Sequence, residues 1–417
     1  MRTYICIDLK TFYASCECVD RGLDPFKTNL VVCDPSRGNG GICLAVSPKM
    51  KNQGVKNRCR IFEIPKNIDY IVAKPRMKYY IEHAADIYAI YLKYISKDDI
   101  HVYSIDECFM DVTKYLKLYE MSAKDLANMI MKDVYQTTGI SSACGIGSNL
   151  FLAKIALDIT AKHTDDNIGI LDEEEFKKTM WHHRPITDIW NIGGGIARRL
   201  EKYNVYDLKG ITELDEKILY KEFGVNAEFL IDHAYGRESC TIKDIHNYKS
   251  KSNSLTNGQI LFEDYKYGDA LLVVKEMVDI LVLELVEKKL VTNNISIYVG
   301  YSKDVIKATG GSMKILEYTN SYKLLREYFV NLFEKTTNKN HLIRRINISV
   351  NNVIGEEFTS ISLFTNIEED AKERKIQETI LEIKQKYGKN AILKGMNLEE
   401  KATTRARNKL IGGHNGE

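Results

Sequence analysis

Six prolines in 417 residues, set among 44% hydrophobic and 28% charged residues, exclude a collagen-like or extensively disordered chain. No apolar run approaches the roughly 18 to 20 residues of a membrane span. The most apolar stretch, 270–286, is broken by Lys275, Glu276, Asp279 and Glu284. Charge of one sign is also scarce in excess: 59 basic against 57 acidic residues leave a formal +2. That balance neither demands nor excludes a polyanionic partner, because a basic face can hide inside a neutral total. Nine cysteines, an odd number with six before residue 60 and no Cys-x-x-Cys pair, give neither a disulfide framework nor a zinc site. They read as reduced, mostly buried thiols. The apolar run after Met1-Arg2, from Tyr4 to Ile7, stops at Asp8 and is too short for a signal-peptide core. A soluble, cytoplasmic, monomeric protein without membrane attachment is the expectation, and its length predicts two to four domains.

What is present is an alternation of strands and helices. Tyr4-Ile5-Cys6-Ile7 reads as a short buried strand and Phe12 to Glu17 as the opening of a helix started by Thr11, so Asp8 falls at a strand's C-terminal end. From about Asp20 to Met77 the chain breaks into short segments punctuated by proline and glycine, which predicts a small inserted subdomain. Tyr79 to Ile95 has helical spacing. His101 to Ile105 and Cys108 to Val112 read as a β-hairpin carrying Asp106-Glu107 at its tip. Ser122 to Thr137 reads as a helix, Ser142 to Ile146 as a strand and Asn149 to Lys162 as another helix. Without its insert this region contains the split β-α-β unit of ferredoxin-like sheets, in which the first strand lies beside the hairpin. That topology predicts that Asp8, Asp106 and Glu107 converge. Short helices follow from Leu171 to Tyr235, then a polar linker. Strands at Ser254 to Phe262, Ile295 to Tyr301, Val305 to Ile315 and Ile343 to Val353, with helices at Asp269 to Lys288 and Tyr322 to Phe333, repeat a β-α-β-β-α-β order. The charge-rich tail, with helical text from Glu368 to Tyr387, is expected to be partly mobile.

Three carboxylates at one sheet edge suit two-metal phosphoryl transfer, where oxygen ligands hold two divalent ions. Alone, an acidic pair in a hairpin tip is ordinary solvated turn chemistry; Asp8 on the neighbouring strand turns the reading towards Mg2+, with the Leu9 carbonyl as a further ligand. Asp111 reads as a strand-end polar residue. Lys51, Lys154 and Lys162 could neutralise a triphosphate, although lysines on a helix face are usually only solvated. Gly193-Gly194-Gly195 before Ala197-Arg198-Arg199-Leu200 suits a helix-hairpin-helix, in which backbone N–H groups approach a phosphate. Gly145-Ile146-Gly147 does not complete the Gly-x-Gly-x-x-Gly of a dinucleotide site. His182 and His183 are adjacent, cannot face one ion from a helix, and read as structural.

Asp8-Leu9-Lys10-Thr11-Phe12-Tyr13-Ala14-Ser15-Cys16-Glu17, Ser104-Ile105-Asp106-Glu107-Cys108-Phe109-Met110-Asp111, and Cys144 to Asn149 with Leu152-Ala153-Lys154-Ile155-Ala156 resemble, in order and spacing, the three motifs of the Y-family translesion DNA polymerases. Within that family the resemblance is to the UmuC-like branch of Gram-positive bacteria. It implies an α+β right-hand polymerase: a ferredoxin-like palm (1–18 and 78–168), small fingers (19–77), a helical thumb with a helix-hairpin-helix (169–240), a linker (241–253), a βαββαβ little finger (254–355) and a tail (356–417). It further implies a low-fidelity DNA-directed DNA polymerase acting on primer-template DNA and dNTPs. Asp8, Asp106 and Glu107, with Leu9, would bind two Mg2+ ions. Tyr13 would be the steric gate against a ribose 2'-OH, where the residues alone suggest a core aromatic. Phe12, Lys51 and Lys162 would contact the nucleotide; Gly193, Gly194, Gly195 and Arg198 would contact the DNA backbone. Lys10 and Pro48 depart from the family pattern, replacing an Asp or Asn and a triphosphate-touching tyrosine. Ser360-Ile361-Ser362-Leu363-Phe364 resembles a sliding-clamp peptide without its leading glutamine, with Ile361, Leu363 and Phe364 as the contacts. A non-catalytic DNA-binding accessory protein and a nucleotidyl cyclase are the rival readings.

Overall fold

The computed structural model describes residues 2–250, 252–358 and 367–417, and the chain divides into two compact units, 1–249 with 414–417, and 250–413. In the first unit, β1 (Tyr4–Leu9) is buried along its length, as a central strand must be. It leads into α1 (Phe12–Asp20). Thr11 occupies the helix's N-cap position, but its side chain caps no backbone N–H and its φ is +47°, a left-handed conformation costly for a β-branched residue. The insert forms a three-stranded sheet of β2 (Leu30–Val32), β3 (Ala45–Val46) and β4 (Ile71–Ala73), ordered β3-β2-β4, over a small core of Val31, Cys33, Cys43, Met50 and Ile64. Within it, α2 (Pro48–Asn52) begins with Pro48 at a first-turn position where a missing N–H costs nothing, and it carries Lys51.

After α3 (Met77–Tyr91) come β5 (Ile100–Val102), β6 (Glu107–Asp111), α4 (Thr113–Leu118), α5 (Ala123–Thr138), β7 (Ser142–Gly147), α6 (Leu150–Asp158) and β8 (Ile168–Leu171). The five-stranded sheet runs β5-β6-β1-β7-β8, antiparallel except between β7 and β8. The four-residue β8 was not expected, since the short apolar run Ile168 to Leu171 merges by pattern with the helical text that follows. Strand alternation divides the core. Ile5, Ile7 and Leu9 face α1, α3 and α5, whereas Tyr4 and Cys6 face α6 with Phe109, Leu150, Ala153 and Leu157. Asp8 therefore lies on the α6 side of the sheet. That helix sits against β7 because Gly145 and Gly147 have no side chains: a Cβ on Gly145 would lie 2.0 Å from the Ala153 carbonyl oxygen.

Next come α7 (Glu173–Met180), α8 (Gly194–Glu201), α9 (Leu208–Glu213), α10 (Glu216–Phe223), α11 (Ala227–Ala234) and α12 (Ile242–Asn247), most of them around a core of Phe176, Leu200, Leu208, Leu219 and Leu230. The stretch 241–253, expected to be a linker, opens with the helix α12, whose Ile242 is buried against the Tyr4, Cys6 and Phe109 cluster.

In the second unit β9 (Leu255–Tyr265), α13 (Tyr267–Glu287), β10 (Leu290–Tyr301), β11 (Thr309–Thr319), α14 (Tyr322–Thr336) and β12 (Ile343–Asn351) give the anticipated β-α-β-β-α-β order, with β13 (Ile354–Gly355) added to β10. The main sheet is antiparallel, ordered β11-β10-β12-β9, and α13 and α14 cover one face. The third strand begins at Thr309 rather than Val305 because 302–304 forms a short 3-10 turn. Within the tail, expected to be partly mobile, the described residues from 367 onward form further helices that bond to α13 and α14. α15 (Ile367–Tyr387) sends Glu373 to the N–H groups of Tyr322 and Lys323 at the start of α14 (2.6 and 3.1 Å). Buried Glu276 of α13 accepts hydrogen bonds from Asn397, Thr403 and Thr404, the last two the N-cap and first residue of α16 (Thr404–Arg407). A buried carboxylate so supplied with donors holds the tail in place. Among the described residues no helix is long and apolar enough to cross a membrane. All nine cysteines are free thiols. Ile361, Leu363 and Phe364 lie outside the described residues.

Candidate active site

Asp8 stands in register with Glu107 of β6 on one side and with Ala143 of β7 on the other. One residue on, the Leu9 N–H donates to the Asp106 carbonyl (2.9 Å), which draws the hairpin turn to the end of β1. The turn is closed by Tyr103 and Ser104 N–H groups on the Glu107 carbonyl (2.9 and 3.1 Å), and the Ser104 hydroxyl donates to Asp106 Oδ1 (2.6 Å). The three carboxylates expected to converge are thus brought to one sheet edge. Burial raises the Asp8 carboxyl to about 7, and the charges of Asp106 and Glu107 add to the rise.

Glu107 is held differently. The Cys6 thiol donates to Oε1 (3.2 Å), and the Lys154 ammonium to Oε2 (2.9 Å), while Lys154 also bonds Asp158 one helical turn away (2.9 Å). Burial opposes the charge on Lys154, but Asp158 and Glu107 outweigh it and hold its pKa well above the usual lysine range. Lys154, considered above as a triphosphate contact, is therefore a buried ion-pair partner. Among the described residues no three acidic, histidine or cysteine side chains are gathered closely enough to form a metal site as they stand. The donor set nevertheless fits hard divalent cations: Asp8, the Leu9 carbonyl, Asp106 and Glu107 offer oxygens, the Cys6 thiol is buried with its proton held, and Asp8 carries a raised pKa that a cation would relieve.

This raised pKa has a thermodynamic consequence. The folded chain holds the Asp8 proton more tightly than the unfolded chain does, so the associated stability is complete below about pH 4 and is lost as pH rises through about 7. Asp8→Asn should stabilise chelator-treated protein more at pH 8 than at pH 5, by up to about 2.5 kcal/mol. Magnesium should raise the melting temperature of the native chain more at pH 8 than at pH 5. Thermal melts with chelator or Mg2+ at both pH values measure the two differences.

Tyr13, half-buried, projects from α1 with its pKa raised by burial and by Asp106. Phe12 is a core side chain, only 2% exposed. The Lys51 ammonium feels Asp8, Asp106 and Lys162; desolvation and Lys162 lower its pKa against the pull of the carboxylates. Lys162 lies exposed on a short 3-10 turn after α6. Lys10 donates its ammonium to Asn167 and feels the charges of Asp8 and Lys51, with burial lowering its pKa. A cavity of about 320 Å³ is lined by Leu9, Ile81, Tyr88, Tyr91 and Ile105 and bordered by Ser104, Asp106 and Glu107. Its apolar walls do not suit a triphosphate.

Gly193, Gly194 and Gly195 are set apart from this cluster. A Cβ on any of them meets nothing within 4 Å and none has a positive φ, so neither packing nor backbone conformation requires glycine there. Arg198, exposed on α8, donates to the Gly194 carbonyl (3.2 Å). Asp111 bonds Thr113 at the strand end, and His182 and His183 pair with Asp207 and Asp188, as expected of structural residues. Sequence reasoning missed a buried network centred on Glu17 of α1, whose carboxylate accepts from Arg21, Arg76 and Tyr80. Only the i, i+4 spacing of Glu17 and Arg21 signalled it; Arg76 and Tyr80 lie about sixty residues away.

Residues 7–158 match the impB/mucB/samB family, and residues 250–363 match the same family's C-terminal domain, together more than half of the chain. Among curated proteins, the putative UV-damage repair protein UvrX of Bacillus subtilis (strain 168) is 28% identical over 99% of this chain and 97% of its own length. DNA polymerase IV 2 of the same organism is 27% identical over 98% of this chain and 97% of its own. Among solved structures, the Y-family DNA polymerase chimera Dbh-Dpo4(243-245)-Dbh superposes with a TM-score of 0.64 and 22% identity, covering 85% of this chain and 99% of the other. Motif order, sheet topology and these matches agree: the chain belongs to the impB/mucB/samB family and has the fold of a Y-family DNA polymerase.

Proposed function

We propose that this chain is a template-directed DNA polymerase of low fidelity that extends primers across damaged templates. The observation that carries the proposal is the meeting of Asp8, Asp106 and Glu107 at one sheet edge, with Lys51 close enough to feel the charges of Asp8 and Asp106. The names of the relatives support it: one is a putative UV-damage repair protein and another a DNA polymerase. In this reading residues 1–18 and 78–168 are the palm, 19–77 the fingers, 169–240 the thumb and 254–355 the little finger. Two Mg2+ ions held by Asp8, the Leu9 carbonyl, Asp106 and Glu107 would activate the primer 3'-OH and neutralise charge on the departing pyrophosphate.

The remaining roles belong to the chain's own groups. Lys51 and Lys162 face the triphosphate as cations. Tyr13 presents its ring to the sugar and excludes a 2'-OH. Lys154 holds Glu107 in place between turnovers and offsets part of the rise that burial imposes on its carboxyl, and it retains Asp158 as a partner when Glu107 turns to a cation. With the tyrosine position taken by a buried Pro48 in α2, the triphosphate grip on that side falls to Lys51.

The test is primer extension on a defined primer-template with dNTPs and Mg2+, with and without the sliding clamp. Template-dependent extension is expected. Retained DNA binding without extension under both conditions would overturn the proposal in favour of an accessory scaffold. The Gly193 to Gly195 turn and Arg198 would hold the duplex backbone. Arg198→Ala should weaken binding equally across DNA sequences and reduce the slope of log K against log salt by about 1. Anisotropy titrations across a salt series measure both.

A further inference from the structure

The Tyr13 ring has a built support. Tyr80 of α3 is fully buried, and its ring stacks on Tyr13 with centroids 4.7 Å apart and planes 23° from parallel. The Tyr80 hydroxyl donates to Glu17 Oε1 (2.7 Å), so this ring is tied at its far end. Glu17 is in turn saturated: Oε1 also accepts from Arg76 Nε (2.9 Å), and Oε2 accepts from Arg76 Nη2 (3.0 Å) and from Arg21. Arg76 is fixed beyond that by Asp20 (2.8 Å) and by the Tyr79 ring, 4.1 Å beneath its guanidinium. Tyr13 and Glu17 stand four residues apart on α1, so the ring and the anchor of its support share one helix face.

We propose that Tyr80 is a positioning residue for sugar selection: locked by Glu17 and Arg76, it backs the Tyr13 ring so that this ring cannot yield to a ribose 2'-OH. The inference rests on the reading of Tyr13 as the residue that meets the sugar. A gate discriminates only as far as it resists displacement, because a ring free to swing would admit the larger sugar at small cost. Tyr80 closes one side of that swing. Its own retreat would break a charge-assisted hydrogen bond inside a buried network, which is costly where no water can replace the partner.

The experiment compares kcat/KM for a dNTP and the matching rNTP opposite one template base in the full chain. The variants are Tyr13→Ala, Tyr80→Leu, Tyr80→Phe and the double variant Tyr13→Ala with Tyr80→Leu. Tyr80→Leu should lower the dNTP-to-rNTP ratio by about three- to tenfold, the range open to one aromatic pair, mainly by raising rNTP use. Tyr80→Phe keeps the stacked ring but loses the tether, and should lower the ratio by about twofold. In the Tyr13→Ala background Tyr80→Leu should change the ratio no further, since the support acts only through the ring it supports. A ratio that falls in Tyr13→Ala but holds in Tyr80→Leu overturns this inference and leaves the gate reading standing, as does an additive double variant. A ratio unmoved by Tyr13→Ala overturns the gate reading and the inference with it. Should Tyr80→Leu fail to fold, Tyr80→Phe decides alone, and an unchanged ratio counts against the proposal.

Discussion

Replacing Asp106 and Glu107 together with alanine should reduce primer extension by about 10³-fold or more while leaving primer-template binding in place. The two positions separate chemistry from folding. Asp106 is only partly buried, in a turn held mainly by backbone hydrogen bonds, so Asp106→Ala alone should cost little stability and still remove most activity. Glu107 is buried and answers Lys154, so Glu107→Ala leaves a buried ammonium hydrogen-bonded to Asp158. Such a loss costs up to about 3 to 5 kcal/mol when no partner remains, and less here because Asp158 does remain. Extension by Asp106→Ala at the native rate, in protein that melts normally, would remove the hairpin carboxylates from the mechanism. Loss of activity in that single variant at unchanged melting temperature would place the effect at the site rather than in the fold.

The convergence of these carboxylates was legible because it follows from local pattern and topology. A buried run ending at Asp8 and a hairpin carrying Asp106-Glu107 can meet in only a few ways once the split β-α-β order is recognised. The second unit was legible for the same reason, with long periodic strands and helices in an unambiguous order. What could not be read was set by contacts between distant residues. Nothing near Lys154 marks it as the partner of Glu107, 47 residues earlier, and a lysine on a helix is ordinarily solvated. Tyr80 looks like any apolar-face residue of α3 until the fold lays it on Tyr13. The charged text of the tail reads as solvated, yet its Glu373 accepts from backbone N–H groups at the start of α14, and buried Glu276 of α13 accepts from the Thr403 and Thr404 N–H groups. Charge pattern alone does not distinguish a solvated face from an anchored one.

The two glycine-rich motifs make this distinction testable by one kind of substitution. Gly145→Ala should destabilise the first unit by about 3 kcal/mol or more, lowering its melting temperature by roughly 6 to 12 °C. The added Cβ would fall 2.0 Å from the Ala153 carbonyl oxygen and 2.3 Å from the Leu157 nitrogen, both backbone atoms of α6 that no rotamer change can move. Relief requires the helix to shift off β7, and α6 carries Lys154, so the Glu107 pairing should loosen as well. Gly193→Ala is the opposite case. Its Cβ would meet nothing within 4 Å and its φ of −83° suits alanine, so the remaining cost is that of a poorer N-cap, about 1 kcal/mol or less. Melting should fall by about 4 °C at most there, and the main defect should appear as weaker DNA binding, because a methyl group on that turn stands between the backbone N–H groups and a phosphate. Circular-dichroism melts and anisotropy titrations of the two variants separate these outcomes. If Gly145→Ala melted like the native chain, the close docking of α6 on β7 would be wrong, and with it the placement of Lys154 beside the carboxylates.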